Sequence, residues 1–219
     1  MGRDGWFDRI LRWGSADGPL RSSVAGRSVH STEFELLEAL ERPVCAVCDR
    51  TRRAGERYVA GVVREGVNDP ETRDTWRRRG GLCARHWRAF RSQESSPLPA
   101  AIVAEDLLAP YLEAGSPDLD CPACEIEAIA QRRYLKAFER LEPDAVEEAL
   151  ERGRGFLCVH HLEGLAAGAV RERFQQRLHE VLTELAAFRR KQDYRFAHEP
   201  AGAERDAWLR AMRALGGDV

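Results

Sequence analysis

The six cysteines of this chain belong to one pattern written twice, and that pattern limits what the chain can fold into. The first copy opens with Cys45-Ala-Val-Cys48 and closes at Gly80-Gly81-Leu82-Cys83-Ala84-Arg85-His86. The second opens with Cys121-Pro-Ala-Cys124 and closes at Gly155-Phe156-Leu157-Cys158-Val159-His160-His161. The opening pairs stand 76 residues apart and the closing pairs 75. Tyr58 and Tyr134 each follow the second Cys of their own copy by ten residues, so the register holds between the anchors as well. No cysteine is left over. Each CxxC…CxxH unit offers three thiols and one imidazole, the donor set of a four-coordinate metal site.

The expected ligands are Cys45, Cys48, Cys83 and His86 in one copy, and Cys121, Cys124, Cys158 and His161 in the other. The spacing of the first copy selects His161 over its neighbour His160. Gaps of 34 and 33 residues between the pairs are longer than in small zinc fingers. Helices filling those gaps would make each copy a hairpin clasped at its base by its own metal. Zinc suits three thiolates and an imidazole, and a shell filled by protein ligands leaves no position for a reactive water, which points to structure over catalysis. Such a site keeps one net negative charge, for which Arg50, Arg85 and Arg154 are candidate counter-ions. An iron–sulfur cluster on the same ligands is the alternative cofactor. A redox dithiol lacks the βαβ surroundings that usually accompany it.

A chain of 219 residues can bury a real core, and 43% hydrophobic with 32% charged residues is ordinary for a globular protein. The net charge of −2 conceals an asymmetry. Residues 41–95 carry 13 arginines against 8 acids, whereas 96–130 carry seven acids and no Lys or Arg. No apolar run is long enough to span a bilayer, and the first residues lack the apolar core of a secretory signal. A cytoplasmic location is therefore expected, where thiols stay reduced and serve as metal ligands.

Taken in order, 1–30 reads as a flexible arm whose Trp6, Phe7, Ile10, Leu11 and Trp13 fall near helical spacing. Residues 31–115 form the first repeat and 116–219 the second with the C-terminal helices. Thr32 and Glu35 fit a capping box. Asp69-Pro70 starts a helix that Gly80-Gly81 stops, with Arg77, Arg78 and Arg79 in its last turn, where cations are favoured. Phe174, Leu178, Val181, Leu182, Leu185 and Phe188 stripe a long helix broken from its predecessor near Gly164 or Gly168. A final helix over 203–215 is expected to bury Trp208 and Leu209. No segment alternates with period two, so the fold should be all-α: a helical bundle of two zinc-clasped units plus a long C-terminal helix.

Other functional classes find little footing. There is no Gly-rich phosphate loop, no HExxH and no Ser nucleophile elbow, so catalysis has no positive support. A nucleic-acid-binding regulator is a further alternative, but acids lie within a turn or two of most arginines and no DNA-binding motif spacing is present. The polar stretch Asp193–Pro200, with Glu204, Asp206 and Trp208, reads as a turn that folds the last helix back through ion pairs. Its other reading is a recognition patch built on Arg195, His198, Glu199 and Asp206. His30, His179 and His198 match no ligand spacing.

The motifs together resemble an uncharacterised prokaryotic family that carries a domain-of-unknown-function label. They are the CPxC turn leading into a helix, Val67-Asn68-Asp69-Pro70-Glu71, the Gly-Gly-Leu-Cys-x-x-His closure, and Asp193-Tyr-Arg-Phe…His198-Glu-Pro…Trp208-Leu-Arg. The resemblance covers roughly 40–215 and departs at Ala46, where the CPxC turn would have Pro. It implies paired metal sites and a cytosolic location, and brings no activity with it. The sequence thus points to a two-zinc helical protein acting as an adaptor for protein partners, met through the Trp-bearing arm or the basic first repeat. A thiol-based or iron–sulfur redox sensor is the alternative.

Overall fold

A computed structural model describes residues 31–93, 96–115, 118–196 and 198–216. Among them are ten α-helices and no strand, as the missing period-two pattern requires. Each copy uses the same three helices in the same order. In the first these are α2 (Ala46–Arg64), α3 (Pro70–Arg79) and α4 (Ala84–Gln93); α1 (Ser31–Leu40) precedes them and α5 (Leu98–Ala114) follows. In the second they are α6 (Pro122–Phe138), α7 (Pro143–Arg152) and α8 (Val159–Glu163), followed by α9 (Ala169–Lys191) and α10 (Ala207–Ala214). Short 3-10 turns occupy Gly66–Asn68 and Ala203–Asp206. The arm and its expected helix lie outside the described residues.

Local chemistry sets the helix ends. The Asp69 carboxylate accepts from the backbone N–H of Glu71 and Thr72, Pro70 takes the first helical position, and Gly80 ends α3 at φ 71° in the left-handed region. Thr32 and Glu35 do not form the expected capping box. Both lie within α1, where Thr32 Oγ1 accepts from Arg133 Nε at 3.1 Å and Glu35 accepts from the Tyr134 hydroxyl. Tertiary partners have claimed those side chains.

The described residues divide into two compact units, one of Thr51–Ala130 and one of 31–50 with 131–216. In the first, Tyr58, Val59 and Val62 of α2 belong to a core with Trp76, Leu82, Phe90, Val103 and Ile126. Trp76, Trp87 and Phe90 meet edge to face at centroid separations of 5.4 to 6.0 Å, and Trp76 Nε1 donates to the Tyr58 hydroxyl at 2.9 Å. In the second unit Leu36, Leu40, Tyr134, Phe138, Val146, Leu150, Leu162 and Phe174 are buried, and the Phe138 and Phe174 rings cross at 89°. The two register tyrosines are thus equivalent: each buries its ring and hydrogen-bonds its phenol.

A backbone contact in the second unit sets up one of the sites. Gly155 N donates to Leu40 O at 2.8 Å, Phe156 N to Val44 O at 3.2 Å, and Ala46 N to Phe156 O at 3.0 Å. An isolated parallel bridge results between Cys45 and Phe156. A Cβ at Gly155 would lie 2.3 Å from Leu40 O, so only glycine permits the approach that carries Cys158 to Cys45.

The polar stretch near the C-terminus is a turn held by ion pairs. Arg190 pairs with Glu199, Lys191 Nζ meets Glu204 at 2.8 Å, and Arg210 Nε meets Asp206 at 3.1 Å. Burial of Trp208 is not observed. Its side chain is 46% exposed, because α10 turns Ala207 and Ala214 inward instead.

Gly155→Ala should destabilise the protein by at least about 1–3 kcal/mol, the usual range for overpacking, and lower Tm. An unchanged Tm would show that the contact with Leu40 is not tight.

Candidate metal centres

All eight expected ligands converge, but not within their own copies. Cys45 and Cys48 gather with Cys158 and His161, and Cys121 and Cys124 gather with Cys83 and His86. The candidate ligand atoms of each group lie within 4.8 Å of one another. The expectation that each copy closes on itself is therefore corrected: the copies exchange their CxxC turns. Helix lengths give the reason. At 1.5 Å per residue the 19 residues of α2 run about 28 Å, while the 10 of α3 run about 15 Å. A return along α3 alone covers only about half the length of α2. The 17-residue α6 and 10-residue α7 repeat the mismatch.

Both centres have the geometry of a single tetrahedral ion. With Zn–S about 2.3 Å and Zn–N about 2.0–2.1 Å, the edges of a tetrahedron are about 3.8 Å for S···S and 3.5 Å for S···N. In one centre Cys83 Sγ lies 3.7 Å from Cys124 Sγ, and His86 Nδ1 lies 3.3, 3.4 and 3.5 Å from the sulfurs of Cys83, Cys121 and Cys124. In the other, Cys48 Sγ lies 3.8 Å from Cys158 Sγ. There His161 Nδ1 lies 3.5, 3.3 and 3.2 Å from the sulfurs of Cys45, Cys48 and Cys158. The donor sets and their spacing fit a metal ion. His160 is exposed and only stacks edgewise on His161, with centroids 5.2 Å apart. His179 and His198 are exposed and stand apart from both groups, while His30 lies outside the described residues.

The supporting structure prepares the thiolates. Cys45 and Cys121 directly precede α2 and α6, so their sulfurs sit near the positive end of a helix. The backbone N–H of Cys158 donates to Cys45 Sγ at 3.3 Å. Burial opposes the Cys121 thiolate, but His86 and the backbone N–H groups of Cys83 and Cys124 prevail and bring it down to about 6. Burial also opposes the His86 imidazolium. The Cys121 sulfur and the Glu127 carboxylate outweigh it and push His86 up to about 10. Burial and the neighbouring Cys121 charge push Cys124 up to about 12. In the other centre Cys45 and Cys48 hold Cys158 well below the usual thiol range, while the same cluster drives Cys48 far above it. His161 rises to about 9, since Cys158 and Cys45 overcome its burial. Metal uptake at neutral pH must displace protons from His86 and Cys124, so acid favours release.

The surroundings of the two centres differ. His86 Nε2 lies 3.0 Å from Glu127 Oε1, and Glu127 also accepts from Arg85 Nη1 at 2.7 Å. This carboxylate fixes the tautomer that turns Nδ1 toward the sulfurs. At the equivalent sequence positions of the other centre stand Thr51 and His160. Of the three arginines considered as counter-ions, only Arg85 reaches a ligand's partner. Arg50 binds Glu38 and the Glu35 carbonyl, and Arg154 binds Asp206. Glu127 escaped sequence reading, although a glutamate three residues after Cys124 on the same helix was its visible trace.

No family model matches the chain, and no solved structure matches it significantly. It is 27% identical over 205 residues, 83% of this chain and 99% of the other, to a 23.9 kDa protein of Caldicellulosiruptor sp. (strain Rt8B.4) described as an uncharacterized protein in the xynA 3' region.

Glu127→Gln should weaken metal binding at the Cys83–Cys121 centre by roughly 10–100-fold and leave the other centre unchanged. Competition with a chromogenic chelator would read this as two separated release steps. Equal weakening of both centres, or of neither, would contradict the assignment.

Proposed function

We propose that this chain binds two Zn²⁺ ions, one through Cys45, Cys48, Cys158 and His161 and one through Cys83, His86, Cys121 and Cys124, and uses them as structural clasps. The observation that carries the reading is that in each group three S···N separations and one S···S separation lie close to the edges of one small tetrahedron. Iron–sulfur clusters fit less well, since ligands that surround several irons and sulfides must stand farther apart than ligands of one ion. Four protein donors per ion close the shell and leave no place for a substrate. Structural zinc supplies on the order of 10 kcal/mol to folding, comparable to the whole stability of a typical domain.

The clasped helices then serve as a protein-interaction module. Trp208 and Met212 on α10, and Leu215 just beyond its end, follow one another at helical spacing and are 46%, 44% and 78% exposed. An apolar row of this kind suits a protein partner. The basic first repeat supports nucleic-acid binding poorly, because the arginine run at the end of α3 is engaged. Arg78 pairs with Asp74, Arg77 with Asp106 at 3.2 Å, and Arg79 with Glu125 at 2.6 Å. No described helix is long and apolar enough to cross a membrane.

Purified protein is expected to be colourless with two zinc ions per chain by elemental analysis, and to lose helical circular dichroism when a strong chelator removes them. Iron with visible absorption would refute the zinc assignment. Unchanged helicity and Tm after complete removal would refute the structural role.

A further inference from the structure

The sulfurs of the two centres differ in their access to solvent. In the first unit Cys83 and Cys124 are both partly exposed, while Cys121 is buried. Cys83 Sγ and Cys124 Sγ lie 3.7 Å apart, the one just before α4 and the other in the first turn of α6. Of the three cysteines in the second unit only Cys48 is partly exposed, and its neighbour at 3.8 Å, Cys158, is buried, as is Cys45. The first unit thus sets two solvent-reaching sulfurs side by side, and the second does not. We infer that Cys83 and Cys124 are an oxidative modification site, a pair that a hydroperoxide joins as a disulfide while the zinc ion leaves.

The inference goes beyond the zinc reading above and rests on it. Zinc holds its sulfur ligands as thiolates, the form that attacks a peroxide. One of the two sulfurs attacks a peroxide oxygen, so that the O–O bond breaks, an S–O bond forms and hydroxide departs. The other sulfur then attacks the resulting sulfenic acid, the S–O bond breaks and a second hydroxide departs. In sum the two thiolates lose one electron each, and hydrogen peroxide with two protons from solvent becomes two waters. The zinc ion, left with Cys121 and His86, dissociates. At this pair each hydroxide leaves directly into solvent, whichever sulfur is struck first. In the second unit the joining step falls on a buried sulfur. Cys83 and Cys124 come from different copies and stand 41 residues apart, so their disulfide keeps the start of α4 tied to α6 after the metal has gone. A bond within Cys121–Cys124 would span one turn and leave α4 untied.

The test adds hydrogen peroxide to the full-length chain after elemental analysis has measured its zinc. A chromogenic chelator follows zinc release, N-ethylmaleimide blocks free thiols at intervals under denaturing conditions, and mass spectrometry maps the disulfides. The first zinc ion is expected to leave in step with a Cys83–Cys124 disulfide, while Cys45, Cys48 and Cys158 are still recovered alkylated. Dithiothreitol with added zinc should restore the lost ion. A first disulfide between Cys121 and Cys124, or among Cys45, Cys48 and Cys158, would overturn the proposal. So would the absence of any disulfide, whether or not zinc leaves. Fewer than two zinc ions per chain before peroxide is added would count against the metal reading, and the disulfide map would still decide the modification site.

Discussion

Three sulfurs and an imidazole held within one tetrahedron are the arrangement on which everything else depends. Two thiolates 3.7 Å apart repel by about 4 kcal/mol at an effective dielectric constant near 20. Protein groups alone answer that repulsion by keeping protons, as the raised Cys124 and His86 show. A dication answers it without protons and converts a mutual repulsion into four bonds. The helices are arranged around that requirement: α2 and α6 start at their CxxC turns, and α4 and α8 start beside the closing Cys of each copy.

Exchange of the CxxC turns makes the duplication obligatory. Each copy carries a full donor set in sequence, but neither group draws its four donors from one copy, so each needs both. The two centres also differ in what they ask of the chain. Cys83 and Cys124 are 41 residues apart, whereas Cys45 and His161 are 116 apart. Closing the longer loop costs on the order of 1 kcal/mol more in chain entropy. Forming the shorter one first reduces what remains.

Much of this was legible in the residues. Which eight Cys and His side chains come together, the all-α class, the Asp69-Pro70 start and Gly80 stop of α3, and the break between α8 and α9 all follow from local spacing and backbone chemistry. The pairing of the ligands did not, because motif spacing says which residues bind and not which turn meets which. The one visible trace is helix length: in each copy a long helix is followed by a shorter one. Glu127 was hidden for a different reason. A buried carboxylate is costly unless paired, and its partners, Arg85 and His86, lie 42 and 41 residues away. Trp208 misled because large aromatics are usually inside, whereas small Ala207 and Ala214 take the inner face of α10.

The exchange between copies is tested most directly by the zinc content of two double variants. Cys45→Ser with Cys158→Ser damages a single centre and should retain one zinc ion per chain, while Cys45→Ser with Cys83→Ser damages both and should retain none. The reverse result, none for the first pair and one for the second, would mean that each copy closes upon itself and would contradict the account.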